Sequence, residues 1–243
     1  MKKRFIMIIL ACCMLISSAN ALNVNTGEDD TYIVSVDEQI DAIMASDLTA
    51  EQKDSTIQKL LYGYSNLSIS PQSAFNVQPN ILSGYRVSKQ IYRNYCVAAT
   101  CQAIQIYLGG GAPGQEYIGK ELGLTPNGNG ANISRALNYL NTVQDANYYV
   151  RRYVLSLDDF CNDVSASISI ENPVYISTEF SEDDGWAYST SGHAMSIYGI
   201  DYGTMNIADP YIQWVDKNAS LMYSMSSETV HEAICNRGSG YLF

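Results

Sequence analysis

The sequence predicts an α+β fold in which helices come first along the chain and strands dominate later. The 243 residues are enough for one domain with a sizeable core and an appendage, and 47% are hydrophobic against 16% charged, as in globular proteins. Apolar residues recur at helical spacing over residues 96–140, whereas runs rich in β formers follow residue 148. Such segregation favours α+β over alternating βαβ units.

The N-terminus has the pattern of a secretory signal peptide. A Lys-Lys-Arg start and a short apolar stretch to residue 16 precede an Ala-x-Ala motif that ends at Ala21. Cleavage after Ala21 is therefore expected, which predicts a secreted or periplasmic protein. A lipid-modified Cys12 or Cys13 is the alternative. The apolar stretch is too short to cross a bilayer comfortably, and no later segment is apolar enough, so no membrane span is expected.

Residues 22–80 are predicted to form an N-terminal helical pair and linker. Apolar spacing and a capping box from Thr49 to Gln52 predict two helices over about residues 36–63. Ser, Asn, Gln and Pro then dominate residues 65–80, which places a domain boundary near residue 80. This segment is interpreted either as an inhibitory pro-region or as a spacer that stabilises the rest.

Residues 81–243 are predicted to form the second domain. Helical spacing of apolar residues predicts helices at 96–108, 115–122, 133–140, 157–168 and 227–235. Runs of β formers predict strands at 148–155, 173–178, 193–202, 211–215 and 241–243.

The chain is strongly acidic, with a formal net charge of −11 before the predicted cleavage removes three basic residues. Nucleic acid is excluded as a partner, because neutralising phosphates needs clustered Lys and Arg. The same charge disfavours anionic lipid surfaces. Tyrosine occurs 19 times, which is interpreted as a bias of semi-exposed surface positions.

No cofactor or metal is expected. Gly109-x-Gly111-x-x-Gly114 fits a dinucleotide-binding pattern literally, but it follows a predicted helix rather than a strand. The cysteine spacing does not match a zinc site. A disulfide between Cys161 and Cys235 is compatible with an exported protein and stays open.

Two side chains suit thiol chemistry, Cys96 and His193. Cys96 opens a predicted helix, where free amides and the positive end of the helix dipole stabilise a thiolate. Cys101 falls on the apolar stripe of that helix and is interpreted as a core residue. A thiol nucleophile needs an imidazole to take and return its proton. His193 follows Gly192 at the start of a buried strand, whereas His231 lies in a helix and is predicted to be exposed.

The imidazole needs an acceptor that orients it, and Asp209 is the candidate. It lies 16 residues after His193, a spacing that a hairpin with a tight turn near Tyr202-Gly203 would close. Asp201, at the far end of the histidine strand, is the alternative. Asp-Pro is also ordinary turn chemistry.

Gln90 lies six residues before Cys96, and its amide N–H is a candidate oxyanion donor beside the Cys96 backbone amide. Trp214 lies five residues after Asp209. It is interpreted as a core residue, with shielding of the acid–histidine bond as the alternative.

The order Gln-x5-Cys at a helix start, Gly-His at a strand start, then Asp-Pro resembles a papain-like cysteine peptidase of the bacteriocin-processing-peptidase-like type. The stretch from Asn94 to Ile104 is similar to the nucleophile helix of that family. The resemblance covers about residues 81–243. It implies a papain-like fold with the nucleophile helix packed on a small antiparallel sheet.

These residues predict a secreted cysteine peptidase that acts on a peptide or protein substrate. Cys96 would attack the carbonyl, His193 would transfer the proton, Asp209 would orient the ring and Gln90 would bind the oxyanion. The alternatives left open are a thiol hydrolase or acyltransferase acting on cell-wall peptides, and a non-catalytic binding or adhesion module on the same fold.

Overall fold

The computed structural model describes residues 36–45, 49–50, 53–54, 57, 79–144, 149–153 and 156–243. The chain divides into two compact units, residues 1–31 and residues 32–243, and every described residue belongs to the second unit. The predicted signal peptide and most of the predicted linker lie outside the described residues, so both stay predictions.

The helices of the described part lie close to the predicted bounds. They are α1 (Val36–Ala45), α2 (Cys96–Tyr107), α3 (Gln115–Glu121), α4 (Ile133–Val143), α5 (Leu157–Ser169) and α6 (Ser227–Arg237). Side chains cap three of these helices: Asn132, Ser156 and Ser226 accept hydrogen bonds from the free amides at the starts of α4, α5 and α6. These caps fix where the three helices begin.

The strands described are β1 (Asn80–Ile81), β2 (Arg151–Arg152), β3 (Val174–Phe180), β4 (Thr190–Asp201), β5 (Thr204–Ala208), β6 (Met222–Ser226) and β7 (Tyr241–Leu242). They form one sheet in the order β2-β7-β3-β4-β5-β6, and β1 also pairs with β4. Every pair is antiparallel. The predicted α+β fold with a small antiparallel sheet is confirmed.

One predicted strand is wrong. Residues 211–215 do not extend but form a 3₁₀ turn over Ile212–Trp214. The cause lies in Asp209, whose side chain accepts the backbone N–H of Tyr211 and starts a turn just before these residues. β6 was not predicted, because its sequence Met-Tyr-Ser-Met-Ser mixes small polar and apolar residues.

Seven of the fifteen described tyrosines are buried and the other eight are partly or fully exposed, so the predicted bias towards semi-exposed positions holds for about half of them. Tyr85, Tyr149, Tyr175 and Tyr241 are among the largest fully buried side chains of the described core.

The same core includes Ile43 of α1, which is 2% exposed. Apolar contact therefore ties α1 to the folded unit, and the domain division at residue 80 stays a prediction.

Among the described residues, no helix is both long and apolar enough to cross a membrane.

Candidate active site

Cys96 is the first residue of α2 and is partly exposed. No side chain caps this helix start, so its free amides are available to a negative charge. One turn later, the Thr100 hydroxyl donates to the carbonyl oxygen of Ala194 over 3.0 Å. Because Ala194 follows His193 directly, this bond ties the helix that begins at Cys96 to the strand that carries the histidine.

His193 lies on β4 opposite Thr178 of β3 and is 5% exposed. Its Nε2 atom is 2.8 Å from Oδ1 of Asp209. The β4–β5 hairpin makes this contact, since it turns at Tyr202 and Gly203 and returns the chain beside β4. Both turn residues have positive φ angles, 42° and 82°, as a two-residue type I′ hairpin requires.

Asp209 is fully buried, yet its carboxylate accepts four hydrogen bonds. Oδ1 accepts from His193 and from the backbone N–H of Tyr211, and Oδ2 accepts from the hydroxyls of Tyr188 and Tyr223. Burial alone would raise the pKa of Asp209. The nearby imidazolium and these donors outweigh burial, and the pKa of Asp209 lies below its ordinary value.

The Cys96 thiol and the His193 imidazole are close enough to shift each other's pKa. Since Nε2 of His193 faces Asp209, Nδ1 is the ring nitrogen available to the sulfur atom of Cys96. Burial would raise the pKa of Cys96, but the imidazole and the backbone amides of Ala194 and Val97 lower it below its ordinary value. Burial would likewise lower the pKa of His193, but Asp209 and Cys96 raise it to about 10. Both shifts favour a thiolate–imidazolium pair.

Aromatic rings enclose the buried side of His193. The rings of Tyr188, Tyr211 and Phe180 stand edge-on to the imidazole, with centroids 5.9, 5.9 and 6.4 Å away. Trp186 stacks on Phe180. These rings keep water from the Asp209–His193 bond, which strengthens it.

Gln90 is 1% exposed, and its amide faces the chain rather than open space. Nε2 donates to the carbonyl oxygens of Tyr92 and Arg93, each over 2.8 Å, while Oε1 has no hydrogen-bond partner. Both amide hydrogens are therefore engaged in the turn that leads to Cys96. Donation to an oxyanion needs one of them to be released, and the oxyanion role of Gln90 stays a prediction.

Neighbouring segments hold the backbone of Gln90. Its N–H donates to the carbonyl oxygen of Pro210, and its own carbonyl accepts from Nε1 of Trp214, each over 3.0 Å. The Gln115 side chain bonds the residues on either side of Gln90: it donates to the carbonyl oxygen of Lys89 and accepts the backbone N–H of Ile91.

Trp214 is half-buried and braces the Gln90 segment. It fits neither the core nor the shielding interpretation.

Three side chains of this site escaped the sequence analysis, namely Gln115, Tyr188 and Tyr223. A buried Gln and two tyrosines have no sequence signal of their own.

The remaining candidates lie elsewhere. Asp201 pairs with Thr204 at the far end of β4 and does not reach His193. The four described cysteines are free thiols, so Cys161 and Cys235 form no disulfide. Cys101 is fully buried as predicted, and burial raises its pKa. Within the described ranges, no group of three His, Cys, Asp or Glu side chains is placed to hold a metal.

Known proteins resemble this chain in sequence family and in fold. The model of the Peptidase C39 like family matches residues 67–234. A solved C39-like peptidase from Bacillus anthracis is 17% identical with a TM-score of 0.50, over 68% of this chain and 96% of that one. The peptidase domain of Streptococcus ComA, a bifunctional ABC transporter, is 16% identical with a TM-score of 0.42, over 65% and 95%. No curated protein matches.

Proposed function

This chain belongs to the Peptidase C39 like family, and we propose that it is a cysteine peptidase in which Cys96, His193 and Asp209 form the catalytic triad. The observation that carries the proposal is the buried 2.8 Å contact between His193 and Asp209, with the Cys96 thiol close enough to the same imidazole for the two to shift each other's pKa. Thiol, imidazole and carboxylate in this order are the parts that thiolate acyl transfer requires.

In this mechanism the Cys96 thiolate attacks the carbonyl carbon of a peptide bond. The negative charge that develops on the carbonyl oxygen meets the free backbone amides at the start of α2, where no side chain competes for them. Gln90 would add a second donor once one of its two amide hydrogens leaves the carbonyl oxygen of Tyr92 or Arg93.

His193 carries the proton through both halves of the reaction. As the tetrahedral intermediate collapses, Nδ1–H protonates the leaving amine and an acyl-enzyme remains on Cys96. The neutral imidazole then takes a proton from water, which attacks the acyl-enzyme and releases the second product. Asp209 keeps the proton on Nε2 throughout, because its Oδ1 lies 2.8 Å from that nitrogen.

Thiol reactivity tests the proposal before any substrate is known. The full chain is treated with iodoacetamide at about pH 6, where an ordinary thiol reacts slowly, and the label is located by peptide mapping. Cys235 is a matched internal control, because it is an exposed free thiol whose pKa burial and Glu232 raise. Cys96 is expected to label much faster than Cys235.

A peptide library then tests turnover. Wild type and Cys235→Ala are expected to cleave library peptides, whereas Cys96→Ala is expected to cleave none and keep its circular dichroism spectrum. Equally slow labelling of both thiols, together with no cleavage, would refute the peptidase and favour a binding module. Cleavage confined to cell-wall peptides would narrow the substrate class. Secretion, with cleavage after Ala21, is part of the proposal and rests on the N-terminal residues alone.

A further inference from the structure

The Asp209 carboxylate is held on both of its oxygens. Oδ1 faces His193 and the Tyr211 amide, each over 2.8 Å. Oδ2 faces two phenol hydroxyls, from Tyr188 over 2.9 Å and from Tyr223 over 3.1 Å. An ionised carboxylate offers about four acceptor positions, so this one is fully used.

We propose that Tyr188 and Tyr223 are positioning residues of the active site, which fix the rotation and the charge of Asp209 so that Oδ1 stays aimed at His193. The inference rests on the proposed function, since it assigns how the orienting carboxylate of that mechanism is itself oriented. Both hydroxyls donate to Asp209, so both would act on His193 through that carboxylate.

Rotation is the first thing these hydroxyls control. A carboxylate bonded through Oδ1 alone can turn about its Cβ–Cγ bond and lose alignment with the imidazole. The two hydroxyls arrive from separate segments, Tyr188 from the stretch before β4 and Tyr223 from β6. Two donors on Oδ2, anchored in separate segments, leave the carboxylate one orientation.

The hydroxyls also keep a fully buried charge satisfied. An unpaired buried carboxylate would take up a proton, and a protonated Asp209 would no longer stabilise the imidazolium. Burial and the negative charge of Asp209 raise the pKa of both phenols, so they remain neutral donors at physiological pH. The ionisable groups that act on Tyr188 are Asp209, Tyr223 and Cys96, and Asp209 is the one that acts on Tyr223.

Tyr188 is expected to matter more than Tyr223. Its hydrogen bond to Asp209 is shorter, and its ring also packs against His193 and Tyr211. The Tyr223 hydroxyl divides its contacts, since it also lies 3.9 Å from Sδ of Met195.

The test removes each hydroxyl and keeps each ring. Tyr188→Phe, Tyr223→Phe and the double variant are compared with Tyr149→Phe in the full chain. Tyr149 is the matched control, because its buried hydroxyl donates to the Pro173 carbonyl over 2.7 Å, away from Asp209. Any effect of simply losing a buried tyrosine hydrogen bond therefore appears in the control as well.

The readout is the pH profile of Cys96 alkylation by iodoacetamide, which needs no peptide substrate. In the single variants Asp209 binds its proton more readily and holds the imidazolium less well, so the thiolate forms at higher pH. The acidic midpoint is expected to rise by about one pH unit in Tyr188→Phe, a tenfold change in thiolate population, and by less in Tyr223→Phe. The double variant should shift further, and Tyr149→Phe should not shift.

Three results would overturn the inference or its basis. If the midpoints of the Tyr188 and Tyr223 variants match wild type, or move only as far as that of Tyr149→Phe, the role of the two hydroxyls is purely structural. A midpoint that moves to lower pH would mean that they weaken the charge of Asp209 rather than position it. A wild type whose Cys96 reacts no faster than Cys235 would instead refute the proposed function, and this is seen before any tyrosine variant is made.

Discussion

Replacing Asp209 by Asn removes the charge of the orienting group and keeps its shape. The Tyr211 backbone N–H shares Oδ1 with His193, so it selects the amide orientation in which the Asn oxygen still faces the imidazole. Nε2 of His193 therefore keeps its proton, and Nδ1 stays available to Cys96. The amide nitrogen then faces the hydroxyls of Tyr188 and Tyr223, which can turn their hydrogens away and accept.

The loss from Asp209→Asn is the difference between a charged and a neutral partner for the imidazolium. A hydrogen bond to a charged group contributes about 1.5–3 kcal/mol and one between neutral groups about 0.5–1.5 kcal/mol. The difference of about 1–1.5 kcal/mol corresponds to about 5- to 10-fold in kcat/KM. His193→Ala should lose more, because general acid–base catalysis alone contributes about 10²–10⁴-fold and the thiolate loses its partner too. Asp209→Ala should lose stability as well, since four donors face an empty site.

The assay for these variants is kcat/KM on the best library peptide, with the free energy of unfolding measured by denaturant for each. Asp201→Asn is the matched control, because it removes a carboxylate charge from the same hairpin without touching His193. Loss of the charge predicts a fall of about fivefold or more. A kcat/KM of Asp209→Asn within about twofold of wild type would therefore show that this carboxylate does not orient the imidazole. A loss as large as that of His193→Ala would show that the ring had adopted the wrong tautomer.

Three further outcomes are expected. As pH increases, kcat/KM should rise around the lowered pKa of Cys96 and fall around the raised pKa of His193, about 10. A fall in kcat/KM near neutral pH would contradict the thiolate–imidazolium pair. Gln90→Ala should lower kcat about 10²–10³-fold and leave the rate of Cys96 alkylation near that of wild type. If kcat and the alkylation rate fall together, the role of Gln90 is to stabilise the turn formed by its bonds to the Tyr92 and Arg93 carbonyl oxygens. Asp163→Ala should destabilise the fold by about 3–5 kcal/mol, measured by denaturant unfolding, because Asp163 pairs with Arg152 in the core.

Local signals explain why Cys96 and His193 could be predicted from sequence. A cysteine at a helix start and one of only two histidines at a strand start are visible within a few residues of each position. Asp209 needed one further step, the hairpin at Tyr202-Gly203, and that turn is also locally encoded. The pairing order of the sheet and the position of β7 in it were not predicted, because these depend on contacts between distant parts of the chain.

Tyr188 and Tyr223 could not be predicted, because their role exists only in three dimensions. Each is one of 19 tyrosines, and nothing in the flanking residues separates them from those that fill the core. Tyr223 also lies on β6, a strand with weak sequence pattern. Gln115 is similar, since a glutamine at a helix start is typical of an exposed residue, yet this one is buried against the Gln90 segment.

The one wrong strand, at residues 211–215, lies where the chain meets the candidate active site. An extended strand would have carried Trp214 away from Gln90. The turn instead lets the Pro210 carbonyl and the Trp214 indole bond the backbone of Gln90 from both sides, while Asp209 at its start bonds His193. A single segment therefore couples Asp209, the proposed orienting carboxylate, to the loop that precedes Cys96, the proposed nucleophile. Regular periodicity fails here because the side chain of Asp209 directs the backbone, as is expected where function outweighs local propensity.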